Sequence, residues 1–230
     1  LNEISLATDL DLITIIIFLD LSKAFDMVNH AILLYKLQHN TKFDSKAIKL
    51  IESYLTLRKQ AVKINDTLSD FLEIEHGVPQ GSILGPLMFI LMINDIPNLK
   101  LISNNFFYVD DSTLSRSGRS YQKILEEMQS DLSKLISYMQ QNCLLINPTK
   151  TKAMIFNYKH DSSNIDIPNL TINNEKIEFV SSFKFLGHML DDKLDFQLQK
   201  DLIKNKLSLA ASTIRRCKFF LSMSCIHLSS

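Results

Sequence analysis

Several features are scarce or missing in this 230-residue sequence, and each absence argues against a class of protein. The formal net charge is zero, from 25 basic and 25 acidic side chains. A protein that binds a polyanion through its overall charge is usually basic, so the composition argues against that mode of binding. The three cysteines have no metal-ligand spacing and no paired framework, which favours a reducing compartment. No apolar run approaches the roughly 20 residues that cross a bilayer, so we expect no membrane segment.

Enough apolar side chain is present for a sizeable core. Hydrophobic residues make up 46% of the sequence. A chain of this length fits one large domain, or a domain with a small appendage. It begins at Leu1 and reaches a candidate site as early as Asp20, so we expect it to be a piece of a longer protein.

Three aspartates follow apolar runs in a pattern typical of a divalent-metal site. Asp20 follows the run 13–19, and Asp110 and Asp111 follow the run 106–109. Both runs are short and rich in β-branched or aromatic residues, so they predict buried strands. Adjacent carboxylates at a strand end repel each other unless cations lie between them. Hard oxygen ligands indicate Mg²⁺ or Mn²⁺, although an Asp-Asp pair taken alone is also typical of a polar turn.

The rest of the chain mixes helical and strand patterns. Helices are predicted over 28–37, 44–57, from about 83 to 94, 120–142 and from 196 to about 221. Strands are predicted as a hairpin of 60–65 with 71–75, a hairpin of 106–109 with 112–116, and single strands near 152–157, 170–173 and 183–189. The helix ending near 94 is apolar all round, so we expect it to be wholly buried. This order predicts an α+β fold whose carboxylates lie on a central antiparallel sheet flanked by helices.

Three segments together resemble the first, second and third palm motifs of reverse transcriptases. They are 18–26 (FLDLSKAFD), 77–87 (GVPQGSILGPL) and 108–111 (YVDD). The continuation at 89–96 (FILMINDI) resembles elements without long terminal repeats, particularly the jockey-like lineage of animal retrotransposons. The segments 147–152 (NPTKTK) and 183–187 (FKFLG) are similar to the fourth and fifth motifs.

The resemblance implies a polymerase palm with the start of a helical thumb and with the fingers mostly absent. The implied domains are a palm over 1–160, with residual fingers elements at about 36–75, the end of the palm with a primer-grip-like hairpin over 161–195, and the start of the thumb over 196–230. Missing fingers would account for the zero net charge. We therefore expect this fragment alone to polymerise weakly or not at all.

The resemblance also implies a set of catalytic residues. Asp20, Asp110 and Asp111 would hold two Mg²⁺ ions, with Mn²⁺ as the alternative, for a two-metal phosphoryl transfer. Lys150 is the candidate general acid for the departing pyrophosphate, and Lys152 is the competing candidate. The pattern fits equally well with both lysines being solvated residues at a strand end and having no catalytic role.

A second set of residues would contact the nucleotide. Phe25, with Ala24 beside it, resembles the residue that blocks a ribose 2′-hydroxyl by a steric clash, although a core role is the simpler reading of a lone Phe. Gln80 and Gly81 would contact the incoming nucleotide and the template, with glycine allowing close backbone approach. Tyr108 completes this set. Its neighbour is valine where this lineage usually has alanine, which puts bulk near the primer end.

The implied function is that of an RNA-directed DNA polymerase fragment. It would transfer a nucleotide from a dNTP to a primer 3′-hydroxyl, with an RNA template and a DNA primer as partners. The full element protein is expected in the nucleus and cytoplasm. An intron-maturase or telomerase-like polymerase is disfavoured by the segments 83–86 (ILGP) and 93–95 (IND). A non-catalytic remnant or a domesticated nucleic-acid-binding module stays open, as does the oligomeric state.

Overall fold

The computed structural model of the chain describes residues 2–79, 81–108, 111–156 and 169–226. Its contacts divide the chain into two compact units, Leu1–Phe179 and Val180–Ser230. The division lies between the two boundaries expected near residues 160 and 195. The assignment of palm, fingers and thumb to particular ranges stays a prediction.

The first unit contains most of the regular structure. Its helices are α1 (Asn2–Asp9), α2 (His30–Asn40), α3 (Ser45–Leu55), α4 (Leu84–Ile93) and α5 (Tyr121–Gln141), with a 3₁₀ helix at Ile96–Leu99. Its strands are β1 (Ile13–Asp20), β2 (Lys59–Gln60), β3 (Lys63–Ile64), β4 (Thr67–Leu68), β5 (Leu72–Glu73), β6 (Asn104–Tyr108), β7 (Asp111–Gly118), β8 (Lys152–Phe156), β9 (Thr171–Ile172), β10 (Glu175–Lys176) and β11 (Glu178–Phe179). The second unit contains β12 (Ser182–Phe185), β13 (His188–Asp191) and α6 (Gln197–Ile226).

Strand β1 lies at the centre of the largest sheet among the described residues. The strand order is β11-β8-β1-β7-β6, and β1 is antiparallel to both of its neighbours. Only the short β11 runs parallel to its partner within this sheet. Residues 14–19 of β1 are all buried, so both faces of the strand are covered, which explains its unbroken apolar run. The predicted α+β fold with a mainly antiparallel central sheet is confirmed.

Helix starts follow the capping residues. Asn29 Oδ1 accepts a hydrogen bond from Ile32 N at 2.9 Å, and Asp44 Oδ1 accepts one from Ala47 N at 2.7 Å. A side-chain acceptor at this position satisfies a backbone N–H that has no partner within the helix. The helices predicted over 28–37, 44–57 and 120–142 are confirmed, each with ends displaced by a few residues. Every helix in the described part of the chain is either too short or too polar to span a bilayer.

The expectation that α4 is wholly buried was wrong. Met88, Phe89 and Met92 are buried in the core. Ile83, just before the helix, is 95% exposed, and an apolar stripe on the helix is exposed as well, formed by Leu84, Leu87 and Ile90. Helix α4 packs one face against the core and turns the other outward, which an evenly apolar sequence does not reveal.

The single strand expected over 183–189 is two strands, so that prediction was wrong, whereas a hairpin lies within 161–195 as the resemblance implied. Strands β12 and β13 pair antiparallel, with Phe185 opposite His188. Leu186 and Gly187 reverse the chain between them with φ values of 47° and 81°. These two residues belong to the primer-grip-like segment, whose role stays a prediction. The hairpin predicted around Asn65 is confirmed: β2 pairs with β5 and β3 with β4, and Asn65 has a φ of 53°.

Candidate active site

Three of the predicted site residues lie in a row across neighbouring strands. Asp20, at the end of β1, is directly opposite Asp111, at the start of β7. Asp111 is in turn opposite Tyr108, at the end of β6. Asp110 and Gln80 lie outside the described residues. Within the described part of the chain, no group of three or more His, Cys, Asp or Glu residues has a metal-binding arrangement.

The loop before β8 is tied to the backbone of Asp20. Asn147 N donates to the Asp20 carbonyl at 2.8 Å, and Asp20 N donates to Thr151 Oγ1 at 3.4 Å. Within the loop, Asn147 Oδ1 accepts hydrogen bonds from Thr149 Oγ1 at 2.7 Å and from Lys150 N at 3.3 Å. The asparagine side chain therefore shapes the turn, as asparagine commonly does. The result is that Lys150 Nζ lies 3.8 Å from Asp20 Oδ2.

The competing lysine has different partners. Lys152 Nζ donates to Glu178 Oε2 at 2.7 Å and to the Thr149 carbonyl at 2.8 Å. Lys152 lies within β8, opposite Phe18 of β1 and beside Glu178 of the parallel strand β11. The fold thus separates the two candidates, because one ammonium faces the Asp20 carboxylate and the other is engaged at the sheet edge.

A pocket of about 600 Å³ opens between the first two motifs. Its lining comes from residues within 21–26 and within 79–86. Phe25 lines the pocket, and its ring is also packed 5.7 Å from that of Phe89, at an interplanar angle of 53°. Ala24 is buried beside it. Phe25 therefore has both a surface toward the pocket and a packing role, and its function as a gate stays a prediction.

Gly81 adopts a left-handed backbone with a φ of 78°. A Cβ added at this position would meet no protein atom within 4 Å. The backbone conformation, rather than crowding by the protein, is what favours glycine here. Gly81 is one of the residues that line the pocket.

Backbone hydrogen bonds join the two motifs that line this pocket. Val78 N donates to the Phe25 carbonyl at 2.9 Å, and Gly77 N donates to the Val28 carbonyl at 2.8 Å. His30 Nε2 lies 2.7 Å from the Gly77 carbonyl oxygen. Sequence reasoning missed His30, since a histidine in the first turn of an apolar helix carries no signal of its partner. The antiparallel bridge between Asn29 and His76 lies next to these bonds.

A buried ion pair also escaped the sequence analysis. Lys36 Nζ donates to Asp95 Oδ1 and to the Met92 carbonyl, both at 2.7 Å, and to Tyr138 Oη at 2.9 Å. Tyr138 Oη in turn donates to Asp95 Oδ1. Asp95 belongs to the segment that resembles the jockey-like lineage, and the structure shows that it joins α2, the end of α4 and α5.

The pKa directions in this cluster follow from burial and pairing. Burial lowers the pKa of the Lys36 ammonium, and the bond to Asp95 opposes that change. Burial alone would raise the pKa of the Asp95 carboxyl, but hydrogen bonds from Lys36 and Tyr138 outweigh it, so the net pKa is lowered. Burial, assisted by Asp95, raises the pKa of the Tyr138 hydroxyl. The lowered pKa of Asp95 and the raised pKa of Tyr138 keep the carboxyl charged and the tyrosine neutral at neutral pH.

Similarity to known proteins is concentrated in one family. The profile of the family described as reverse transcriptase (RNA-dependent DNA polymerase) matches residues 3–190. The RNA-directed DNA polymerase from mobile element jockey of Drosophila funebris is 29% identical over 187 residues, which are 78% of this chain and 20% of that protein. The probable RNA-directed DNA polymerase from transposon X-element of Drosophila melanogaster is 27% identical over 195 residues, 83% of this chain and 21% of that protein. The chain spans about a fifth of the length of these relatives.

Solved structures support the same fold. Apo telomerase from Candida tropicalis, truncated from its C-terminal domain, has a TM-score of 0.56 and 17% identity, covering 84% of this chain and 37% of that chain. Telomerase from Candida albicans, in complex with a fragment of telomeric RNA, has a TM-score of 0.54 and 16% identity, covering 84% and 32%. At these identities the likeness concerns the fold alone. The relatives named above are RNA-directed DNA polymerases of jockey-type retrotransposons without long terminal repeats. Because the family profile matches well over half of this chain, the chain belongs to the reverse transcriptase family.

Proposed function

We propose that this chain carries the nucleotidyl-transfer centre of an RNA-directed DNA polymerase, which extends a DNA primer from dNTPs on an RNA template. The observation that carries the proposal is the pairing of Asp20 with Asp111 at the ends of two central strands, with Lys150 Nζ 3.8 Å from the Asp20 carboxylate. Acidic and basic groups at one end of a sheet provide the parts that phosphoryl transfer requires, which are ligands for cations and a proton donor.

The strand register at this position supports a site for divalent cations. Residues opposed across an antiparallel pair lie on the same face of the sheet, so the register supports a shared site for Asp20 and Asp111. Asp110, next in sequence to Asp111, would complete the ligand set. The Asp20 side chain is 39% exposed, so it is accessible to ions from solvent. Carboxylate oxygens suit Mg²⁺ or Mn²⁺, and two such ions would activate the primer hydroxyl and stabilise the charge of the triphosphate.

Lys150 is the proton donor in this proposal. Its loop is fixed to the Asp20 backbone through Asn147 and Thr151, so the ammonium is held near the carboxylate without being buried. An exposed ion pair of this kind contributes little to stability. What matters for the proposal is that the ammonium lies next to the Asp20 carboxylate. Protonating the departing pyrophosphate removes charge that otherwise develops on the leaving oxygen.

The pocket beside these residues would take the incoming nucleotide. Its volume of about 600 Å³ lies within the range usual for sites of small ligands. Phe25 and Ala24 would contact the sugar from one wall, and Gln80 and Gly81 would contact the nucleotide and template from the other. Tyr108, in line with Asp111, would lie near the primer end. Extension of a chromosomal primer on the RNA of a retrotransposon would be the activity of the whole protein.

Iron-mediated cleavage tests the metal site in the chain itself. Fe²⁺ with ascorbate and peroxide is expected to cut the polypeptide near residues 20 and 110, and excess Mg²⁺ is expected to suppress the cuts. Asp20→Asn should abolish them, whereas Asp9→Asn, an exposed aspartate at the end of α1, should not.

Primer extension tests the reaction. Poly(rA) with oligo(dT) and dTTP would be supplied to a jockey-type polymerase whose matching segment is replaced by this chain. Extension that is lost in Asp20→Asn and kept in Asp9→Asn supports the proposal. A folded chain that binds the RNA–DNA duplex but gives neither cleavage nor extension would favour the nucleic-acid-binding module instead.

A further inference from the structure

We propose that His30 is a positioning residue that sets the spacing between the two walls of the nucleotide pocket and thereby its selectivity for the sugar. The inference rests on the proposed function for its ligand, but its structural part concerns only this chain. The pocket is formed by two segments, one containing Phe25 and the other containing Pro79 and Gly81. Whatever joins these segments behind the pocket determines how far apart its walls lie.

Three backbone hydrogen bonds and one buried side chain make this junction. Gly77 N and Val78 N donate to the carbonyls of Val28 and Phe25 at 2.8 and 2.9 Å, and His30 N donates to the Glu75 carbonyl at 3.3 Å. The His30 ring adds a bond from its Nε2 to the Gly77 carbonyl at 2.7 Å. A carbonyl oxygen only accepts hydrogen bonds, so Nε2 carries a proton. Both the neutral Nε2–H tautomer and the imidazolium satisfy this geometry.

The ring of His30 is held by a rigid helix. His30 is 8% exposed and lies in the first turn of α2, whose Leu33 and Leu37 are fully buried in the core. Further along the same helix, Lys36 is joined to Asp95 in the buried ion pair. Helix α2 therefore anchors the imidazole relative to the core. Through the Gly77 carbonyl, the ring holds the second wall at a set position relative to the core.

The backbone is tightly packed at Gly77. This residue has a φ of 88°, and an added Cβ would lie 3.0 Å from the Asp26 carbonyl oxygen and 3.2 Å from its Cα. The two motifs are therefore packed closely at the backbone, and the Asp26 backbone opposes movement of Gly77 toward the first motif. Outward movement would carry Pro79 and Gly81 away from Phe25 and widen the pocket.

A wider pocket has a specific consequence for selectivity. Rejection of a ribonucleotide by Phe25 would rest on a steric clash with the 2′-hydroxyl, and repulsion falls steeply with distance. Binding of a deoxynucleotide makes no use of that clash. Loss of the His30 bond should therefore raise ribonucleotide affinity more than it changes deoxynucleotide affinity.

Hydrogen exchange tests the junction without any requirement for activity. In His30→Ala, the amides of Gly77 and Val78 should exchange faster, on the order of tenfold for one lost buried hydrogen bond. Amides of β1 should be unchanged. His30→Gln, which retains an N–H donor, should recover part of the protection. His39→Ala is the matched control, since His39 is an exposed histidine on the same helix whose Nδ1 contacts the Tyr35 carbonyl.

Nucleotide affinity tests the selectivity. Titration calorimetry is performed with dGTP and with GTP, in Mg²⁺ and with an annealed primer–template. The quantity compared is the dissociation constant of GTP divided by that of dGTP. That ratio should fall on the order of tenfold in His30→Ala, recover in His30→Gln and stay unchanged in His39→Ala.

Each result decides the inference. Unchanged exchange at Gly77 and Val78 in His30→Ala would overturn it, and so would faster exchange spread evenly through β1, which indicates general destabilisation. Faster exchange at the junction with an unchanged affinity ratio would leave His30 a structural residue only. If the unaltered chain binds neither nucleotide, the proposed function fails, while the exchange result still decides whether His30 holds the junction.

Discussion

Lys150 Nζ lies 3.8 Å from Asp20 Oδ2, at the end of the central strand where Asp20 is paired with Asp111. The neighbouring Lys152 lies 2.7 Å from Glu178 instead. Two lysines separated by one residue thus occupy different environments, one at the candidate metal site and one at the sheet edge. This arrangement is the reason for proposing Lys150, and not Lys152, as the proton donor.

Lys150→Ala should lower the rate of nucleotide addition by about 10²–10⁴-fold, the usual contribution of a general acid. The measurement is single-turnover incorporation in the jockey-type polymerase carrying this chain. Lys152→Ala is the matched control, and its rate should change little because its ammonium is bonded to Glu178 and Thr149. Equal losses in the two variants, or a larger loss in Lys152→Ala, would show that the assignment to Lys150 is wrong.

Phe25→Val should reduce discrimination against ribonucleotides while deoxynucleotide use persists. Valine opens the space where a 2′-hydroxyl would clash, and the metal ligands are untouched. A steric clash exceeds the roughly 1–3 kcal/mol that one methylene contributes in a pocket, so the ratio of kcat/KM for dNTP over rNTP should fall more than tenfold. Phe43→Val, at a half-exposed phenylalanine away from the pocket, is the control.

Phe25 also packs against Phe89, so the same variant tests the alternative role. Its free energy of unfolding, measured in urea, should fall by about 1 kcal/mol as ring contacts are lost. If stability falls while the selectivity ratio is unchanged, Phe25 is a core residue and not a gate.

Asp95→Asn should lower the free energy of unfolding by about 2–4 kcal/mol, because it leaves the Lys36 ammonium buried without its carboxylate. Urea denaturation at pH 7 measures the change. Asp70→Asn, at an exposed aspartate in the β-hairpin region, should change the unfolding free energy by only a few tenths of a kcal/mol. A small effect of Asp95→Asn would mean that the pair is solvated.

The pH dependence of stability should report on the same carboxylate. The pKa of Asp95 is lowered in the folded chain from the ordinary value of 3.8, because its hydrogen bonds outweigh burial. The unfolded chain therefore binds the proton more tightly, and this contribution to stability is present above pH 3.8 and lost as the pH falls through the folded pKa. Unfolding free energies between pH 2.5 and 7 should show a shallower acid slope in Asp95→Asn. An unchanged slope would contradict the prediction.

Gly77→Ala should destabilise the chain more than Gly81→Ala does. Both glycines have a left-handed backbone, with φ values of 88° and 78°, and either substitution costs about 1–2 kcal/mol for that conformation. Only the Cβ at Gly77 also meets backbone, at 3.0 Å from the Asp26 carbonyl oxygen. The difference between the unfolding free energies of the two variants, measured in urea, gives the cost of the contact between the two motifs. Equal losses of unfolding free energy would mean that the backbone at Gly77 moves aside at little cost.

Local patterns in the sequence were sufficient for much of the fold. The apolar run before Asp20 predicted β1, which is buried on both faces, and the run before Asp110 predicted β6. The second run was also expected to be buried, but β6 is an edge strand and Phe106 is 54% exposed. Asp44 predicted the start of α3, because its side chain bonds to a nearby backbone N–H. Other elements depended on distant contacts. The outward face of α4 was missed because apolar composition does not specify which face a helix buries. The apolar pattern alone also missed the turn at Leu186–Gly187, because it does not show where an apolar run reverses.

Short motifs were enough to indicate the family and the candidate metal ligands, and periodicities of two and 3.6 residues were enough to predict strands and helices. Tertiary structure alone decided which lysine faces Asp20, because Asn147 and Thr151 bond to the backbone of a residue far away in the sequence. It alone joined His30 to Gly77 across 47 positions. Such contacts depend on where the chain folds back on itself, and no local pattern of side chains encodes the partner of a hydrogen bond.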